Sequence, residues 1–557
     1  MKYSIIYYLL ILTLSPMVLW AQSEEKDGFK ESIDIVKAYK PNITDANKLS
    51  VKQREERIET KKPVLQYSEY SQAFDMKPTS EHLPSLSIGK PRLEPLYHSL
   101  LKLGAGNYSN LFAELNYNTL RNDEMGLGIY ALHNSGTGPV ENSNFGDQIL
   151  RINGDRLYRH HKLSRNLSIN NRRRHFYGYD HDTLELEKQD IRQDYFDLGF
   201  NGRFDNSRAD SGKTRYFTEA RTYFFNGSES ASEFNAGVSG GIIQPHGSNQ
   251  IHLTLDYDYF NYNFDEAYVR NLFRVSAWYE LNIFDDRLHV KAGFNTAKAT
   301  DSTESPFHFY PKLYIEYPLA DYNLKIYGGL RGNLRVNTFR DLSYENEFLQ
   351  VNRALDLRNT NNTFEVYAGV EGNISDRLNY NAAVHYQNLE NLYFFLNDTS
   401  DQSMFSVVYD EDNTVLFRFK GSLNYRYSSK LQAGASFEYL NYDVSGLDFA
   451  IHRPSLLYSV HGIYSLKDKI RFRLELHGFD SRKTLAITNS ESSGLPQIEE
   501  VELPGYADLN LGVSYRFSRG ISAFLDFKNI LADTYEYYHL YQNRGFQVNA
   551  GLILDLY

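Results

Sequence analysis

The sequence predicts an all-β protein: one large antiparallel transmembrane β-barrel of about 22 strands, preceded by a short extended periplasmic N-terminal segment. Three observations predict it. Period-two alternation of apolar and polar residues recurs from Leu100 to Leu556. The links between the alternating runs are by turns short and long. Finally, 45 Tyr and 35 Phe dominate a 15% aromatic share that includes only 2 Trp, as expected of aromatic girdles at two membrane interfaces.

The chain opens with one positive charge at Lys2, then an apolar run from Tyr3 to Trp20 broken late by Pro16, then Ala21 and the polar Gln22-Ser-Glu-Glu25. Residues 1–21 therefore read as a cleaved secretory signal. Leu19 fits the cleavage preference poorly, and an N-terminal membrane anchor is the other reading. No later run approaches the roughly 20 apolar residues of a membrane helix, and the mean hydropathy is -0.52. Barrel strands escape such a scan because lipid-facing and lumen-facing residues alternate. The chain has no Cys. That excludes disulfides, thiolate metal sites, Cys nucleophiles and a lipidated N-terminal Cys. A net charge of -11 argues against a nucleic-acid partner.

Residues 22–97 differ in composition from the rest of the chain. Val51-Lys-Gln-Arg-Glu-Glu-Arg-Ile-Glu-Thr-Lys-Lys62 has little to bury, and Pro63, Pro78, Pro84, Pro91 and Pro95 come after it. The stretch reads as extended and periplasmic. Within it, Ile33-Asp-Ile-Val-Lys-Ala-Tyr-Lys-Pro41 gathers Ile33, Ile35, Val36 and Tyr39 before Pro41 ends it. It is a candidate docking segment for a partner, by strand addition. The alternative is a plain tether.

From residue 98 to 557 the barrel pattern holds. In Ile251-His-Leu-Thr-Leu-Asp-Tyr-Asp-Tyr259 the odd positions are apolar or aromatic and the even ones polar. Val415–Tyr427, Ile470–Leu476 and Ala507–Phe517 behave alike. Their polar rows carry Arg418, Lys420, Arg426, Arg471, Arg473, Asp508 and Asn510, the candidate lumen-facing residues. Tight turns are expected at 373–377, 427–430, 465–469 and 517–520, and longer external links at 134–147, 299–307, 337–361 and 481–505. No helical period is legible between 100 and 557. On the final strand Phe546, Val548, Ala550, Leu552, Leu554 and Leu556 share the apolar row, which leaves Tyr557 out of phase.

The C-terminal stretch resembles the barrel end of TonB-dependent outer-membrane receptors. The residues that carry the resemblance are Tyr506-Ala-Asp-Leu-Asn-Leu-Gly-Val-Ser-Tyr-Arg-Phe517, Gly520-Ile-Ser-Ala-Phe-Leu-Asp-Phe-Lys-Asn-Ile-Leu531, Tyr535 and Arg544-Gly-Phe546. Such receptors carry a plug domain on the order of 130 residues, which fills a lumen of this size. About 75 residues separate Ala21 from the first strand here, without a plug-like pattern. The front instead resembles a plugless group of receptor-like barrels, through Ile33–Pro41 and Gly104-Ala-Gly-Asn-Tyr108. The resemblance implies an outer-membrane location.

No catalytic motif is present: there is no G-x-S-x-G, H-E-x-x-H or phosphate loop. No cofactor is expected. Adjacent His160 and His161 point to opposite faces of a strand and suit one metal ion poorly. The basic run Asn170-Asn-Arg-Arg-Arg-His175 reads either as an anion site or as a solvated strand end. Asp410-Glu-Asp-Asn413 reads as a turn, and Asp256 with Asp258 as lumen lining. Tyr257–Phe264 and Tyr535–Tyr538 read as girdle or as a ligand-stacking surface. Two function classes remain. One is a transporter or pore for a small solute. The other is a structural or accessory subunit of an outer-membrane assembly or secretion complex, held through the N-terminal segment by a lipoprotein or periplasmic partner. In both, outer-membrane lipid surrounds the barrel.

Overall fold

A computed structural model describes residues 98–119, 124–207, 212–228, 231–264, 267–284, 287–300, 306–319, 323–350, 355–489 and 496–556. The expectations for residues 1–21 and 22–97, with the docking segment Ile33–Pro41, and for Tyr557 lie outside the described residues.

Alternating rows of this length can satisfy every backbone donor and acceptor in lipid only if the sheet closes on itself. It does. Twenty-two strands form one sheet. The first, Ser99–Gly106, pairs antiparallel with the last, Gln547–Leu556, through Leu100↔Asp555 and Gly104↔Gly551. Each barrel strand pairs with the next in sequence, with two interruptions. Ile470–Phe479 pairs directly with Tyr506–Arg516, and the intervening Arg482–Asn489 and Pro496–Leu503 form a separate hairpin. A second small hairpin, Glu536–Tyr538 with Tyr541–Gln542, interrupts the link before the last strand. The first hairpin lies within the longer link expected at 481–505.

The two faces follow the sequence rows. Ile251, Leu253, Leu255 and Tyr257 are 46%, 40%, 46% and 39% exposed, whereas Asp258 is 4% exposed. Such apolar rows tolerate exposure only where the surroundings are hydrocarbon. The tight turns, among them 376–377, 427–430 and 467–469, lie on one rim with the described chain ends, where His98 N–H donates to Leu556 O at 3.1 Å. The long links lie on the other rim, the external one by the barrel rule.

The structure adds one helix that the sequence pattern did not show, α1 (Phe339–Glu345). Thr338 caps it, its side chain accepting from Asp341 N–H at 3.0 Å. Phe339, Leu342 and Ser343 share its buried face. Two turns are too short for a period to emerge.

The row assignment makes one prediction. Leu511→Arg, or Phe419→Arg, should cost about 2–4 kcal/mol in a refolding titration, because each puts a charge on the hydrocarbon side. Asn510→Ala should cost no more than about 1.5 kcal/mol. Asn510 and Asp508 both accept from Asn529 N–H, at 3.0 and 3.2 Å, so one acceptor survives. Equal losses would mean that the row assignment is wrong.

Candidate functional site

The external links do more than connect strands. Phe348 stacks on Tyr541 with ring centroids 3.6 Å apart, and Tyr177 meets both rings edge-on at 5.8 and 4.8 Å. These three residues come from the links 336–359, 529–546 and 176–191. Around the ring of 22 strands, these links are separated by eight, eight and six strands. Three links rooted so evenly around a closed rim can touch only by crossing the mouth. The rings are the centre of a buried cluster with Phe225, Phe339, Leu342, Phe395, Phe405 and Tyr538.

Polar contacts lock this cap to the wall. Arg340 on α1 donates to Asp197 at 2.8 and 3.1 Å, and its backbone N–H donates to Glu233 at 3.1 Å. Tyr344 donates to the same Asp197 oxygen at 2.8 Å. On the far side of the helix Glu345 pairs with Arg453 at 3.0 Å and accepts from Tyr393. Tyr195 donates to Glu347 O at 3.0 Å, and Tyr538 to Glu345 O at 3.1 Å. Asp197 and Glu233 are 1% and 0% exposed. Carboxylates so buried need these donors, because an unpaired charge there is costly.

No protein-family model matches the chain, and no curated protein matches its sequence. Solved structures do match its fold. The ferric-catecholate import receptor Fiu from E. coli is 10% identical and aligns over 82% of this chain and 81% of its own, with a TM-score of 0.61. The pyoverdine outer membrane receptor FpvA from Pseudomonas aeruginosa is 11% identical over 83% and 78%, with a TM-score of 0.63. The siderophore receptor PirA from Acinetobacter baumannii is 11% identical over 82% and 80%, with a TM-score of 0.62. The fold is that of a receptor-like outer-membrane β-barrel. What these proteins carry does not transfer at such identity. The closed barrel and its apolar outer face agree with the outer-membrane location expected from the sequence.

Within this receptor-like barrel, His452 ties three links of the cap together. Its Nδ1 donates to Phe395 O at 2.9 Å, and its Nε2 accepts from His539 N–H at 3.3 Å. Its own N–H donates to Lys483 O at 2.9 Å. Burial, helped by the nearby Arg482, His539 and Arg453, lowers its pKa to about 3, against a single favourable bond to Phe395 O. The folded value lies below the unfolded value of about 6.5. Unfolded loops therefore bind a proton that the cap refuses, so cap stability is full above about pH 6.5 and falls as the pH drops. The loss is about 1.4 kcal/mol per unit down to the folded value. Protease cleavage within 444–455 of the intact barrel should thus be faster at about pH 5 than at about pH 7.5. His452→Gln should flatten that difference, and a flat wild-type profile would exclude His452 as its source.

The structure distributes the sequence candidates widely. Arg418 pairs with Glu438 on the neighbouring strand. Lys420, Arg426 and Arg471 are exposed. Arg473 pairs with Asp526 at 3.1 Å and Glu475 at 3.4 Å, and Asp508 lies 3.9 Å from His477. These residues form two separate stretches of wall, on Phe405–Arg426 and on the pair Ile470–Phe479 and Tyr506–Arg516. They do not converge on one site. Asp256 and Asp258 bind Arg221 and Arg274 in a four-charge lattice. Asp410 is buried and accepts from Gly446 N–H at 2.6 Å, so it braces a link. His161 bonds Tyr216 at 2.9 Å. No group of metal-binding side chains occurs among the described residues.

The basic run 170–175 closes the strand Lys162–His175, and Arg173 keeps the solvated setting expected of a strand end. Arg172 donates to Ser343 O at 3.3 Å and lies over the Tyr344 ring at 3.8 Å. Arg174 bridges Asp147 and Glu347. Arg173 pairs with Asp194 at 3.0 Å. Two of the three arginines hold the cap. Likewise Tyr538 is buried in the cap, and Tyr535 stacks on Tyr506 at 3.6 Å, rather than forming a girdle.

Proposed function

We propose that this barrel passes a small solute across the outer membrane and that its own external loops close the path at rest. The observation that carries the reading is the meeting of Phe348, Tyr541 and Tyr177 over the mouth. A lumen of this width would otherwise be a hole. In this reading residues 22–97 are an extended periplasmic segment and not a plug, so no plug has to be pulled and TonB is not required. Uptake is the test. Cells lacking this protein and cells lacking TonB are compared across small solutes. A defect confined to the first strain supports the reading. A shared defect in one solute restores a TonB-driven receptor, and no defect in any solute removes transport.

One observation favours a second reading, a scaffold for envelope partners: the cap is packed like a protein core, with Phe339, Phe405 and Leu349 fully buried. A permanently closed barrel would serve as a platform, with Ile33–Pro41 as the contact. Deleting residues 32–42 separates the readings. Loss of co-purifying proteins from an intact barrel supports the scaffold, and unchanged partners and phenotype reduce the segment to a tether.

A further inference from the structure

Below the cap, the lumen wall holds a recess of about 520 Å³ whose polar and aromatic lining is Trp278, His289, Lys291, Lys312, Tyr314, Glu316, Arg331 and Tyr367. They come from five consecutive strands, Ala267–Ile283 through Thr360–Ser375. Their strand neighbours Phe309, Ile315, Ile326 and Val366 are exposed on the opposite, apolar face. The recess is therefore on the inner wall.

Two glycines stand between its large side chains. In register, Gly293 stands between Trp278 and Lys312, and Gly329 stands between Tyr314 and Tyr367. A Cβ on Gly293 would sit 2.6 Å from the Trp278 Cβ, and one on Gly329 would sit 2.7 Å from the Tyr367 hydroxyl. Each row is thus a large side chain, a gap and a large side chain. The gap at Gly293 lets Lys312 Nζ lie 3.6 Å from the centre of the Trp278 ring.

Glu316, the one carboxylate in the lining, accepts from the Tyr314 hydroxyl and pairs with Lys325 at 3.3 Å, and three cationic side chains share the recess with it. Glu280 is shared by His252, His289 and Lys291, at 3.1, 3.0 and 3.8 Å. Arg331 holds Glu365 with two bonds of 2.7 and 2.8 Å. Lys312 has no carboxylate partner among the described residues, and its ammonium rests on the Trp278 ring. The Trp278 indole N–H is buried and has no acceptor among the described residues. A cation over the ring and a ring N–H donor without an acceptor fit an oxygen anion.

We infer that this recess binds a small oxyanionic solute, a carboxylate or a phosphate, on Lys312 Nζ and the Trp278 indole N–H, with Tyr314 and Tyr367 as flat walls. The inference rests on the transport reading and gives that reading a substrate class. Arg331, at the edge of the recess, is held by Glu365 through its Nε and Nη2.

Trp278 reports on its own site. The chain has two tryptophans, Trp20 and Trp278, and Trp20 falls in the expected signal. Full-length protein purified from outer membranes is titrated with benzoate, with inorganic phosphate and with choline, and tryptophan emission is followed. A saturable change with either anion, absent in Trp278→Phe, is expected. Lys312→Gln should weaken it at least about tenfold, the usual share of one charge-assisted hydrogen bond. Lys420→Gln, on another stretch of wall, should leave it unchanged. Benzoate without phosphate would show that the flat walls contribute, and phosphate alone that charge suffices. Both support the site. No saturable change with either anion, or a response to choline, overturns it. Anion binding in a protein that moves no solute in the uptake test would keep the recess and remove transport. Uptake without anion binding would do the reverse.

Discussion

Replacing residues 338–348 by a short Gly-Ser link is expected to turn a barrel that passes no ions across a planar bilayer into one with sustained conductance. The excised stretch contains α1, Glu347 and Phe348, so it removes one of the three arms that meet over the mouth. It leaves the strand ladders untouched. Point variants should act more weakly in the same direction. Arg340→Ala leaves Asp197 buried without its guanidinium, a loss of about 3–5 kcal/mol. Phe348→Ala empties the stacking position on Tyr541, also about 3–5 kcal/mol. Both losses fall on the cap, so brief openings should appear before any change in barrel melting. A cap-deleted barrel that stays silent would mean that another part of the chain closes the lumen, and the resting gate would have to be sought there.

The barrel was legible in the sequence because a strand's two faces are written locally. Each residue's row follows from its parity, and rows such as Ile251–Tyr259 need no long-range information. The cap was not legible, because its contacts join links far apart in the chain and those links have no period. Phe348 and Tyr541 are 193 positions apart by their numbers alone. One local signal was available. On Asn249–Asn263 the inner row runs His252, Thr254, Asp256 and Asp258, then Phe260 and Tyr262. The last two are 5% and 0% exposed. An inner row that turns aromatic near the external rim announces a packed lid. The cap contacts of Arg172 and Arg174 were missed for a related reason: their partners Ser343 and Glu347 lie on a link whose path no strand pattern fixes. The lumen recess escaped as well, since it needs five strands in register before Trp278, Lys312 and two glycines come together.

Gly551→Val is expected to prevent barrel closure, and this is the largest effect of a single substitution on the wall itself. Gly551 lies on the last strand opposite Gly104 of the first, and Phe524 lies opposite Gly551 on the other side. A Cβ at Gly551 would sit 1.9 Å from Leu103 O and 2.6 Å from the Gly104 Cα. Both obstacles are backbone, so no side chain can turn aside. The Phe524 ring covers the paired glycines, and a Cβ on Gly104 would meet it at 2.7 Å. Lys102 then sits 4.1 Å above that ring and reaches Asp526 at 3.4 Å. An aromatic ring laid across glycines is a known way to pin register in a sheet. Here it pins the one pairing that closes the ring. If Val forces that seam apart or shifts it by one residue, every side chain on the last strand changes face and two bare edges face lipid. The unheated protein should lose its compact, fast-migrating form on a denaturing gel and be degraded in the membrane. Gly154→Val is the control, since nothing lies within 4 Å of a Cβ there. Wild-type migration of Gly551→Val would show that the first and last strands do not pair as described, whereas failure of both variants alike would place the cost in valine itself and not in the seam.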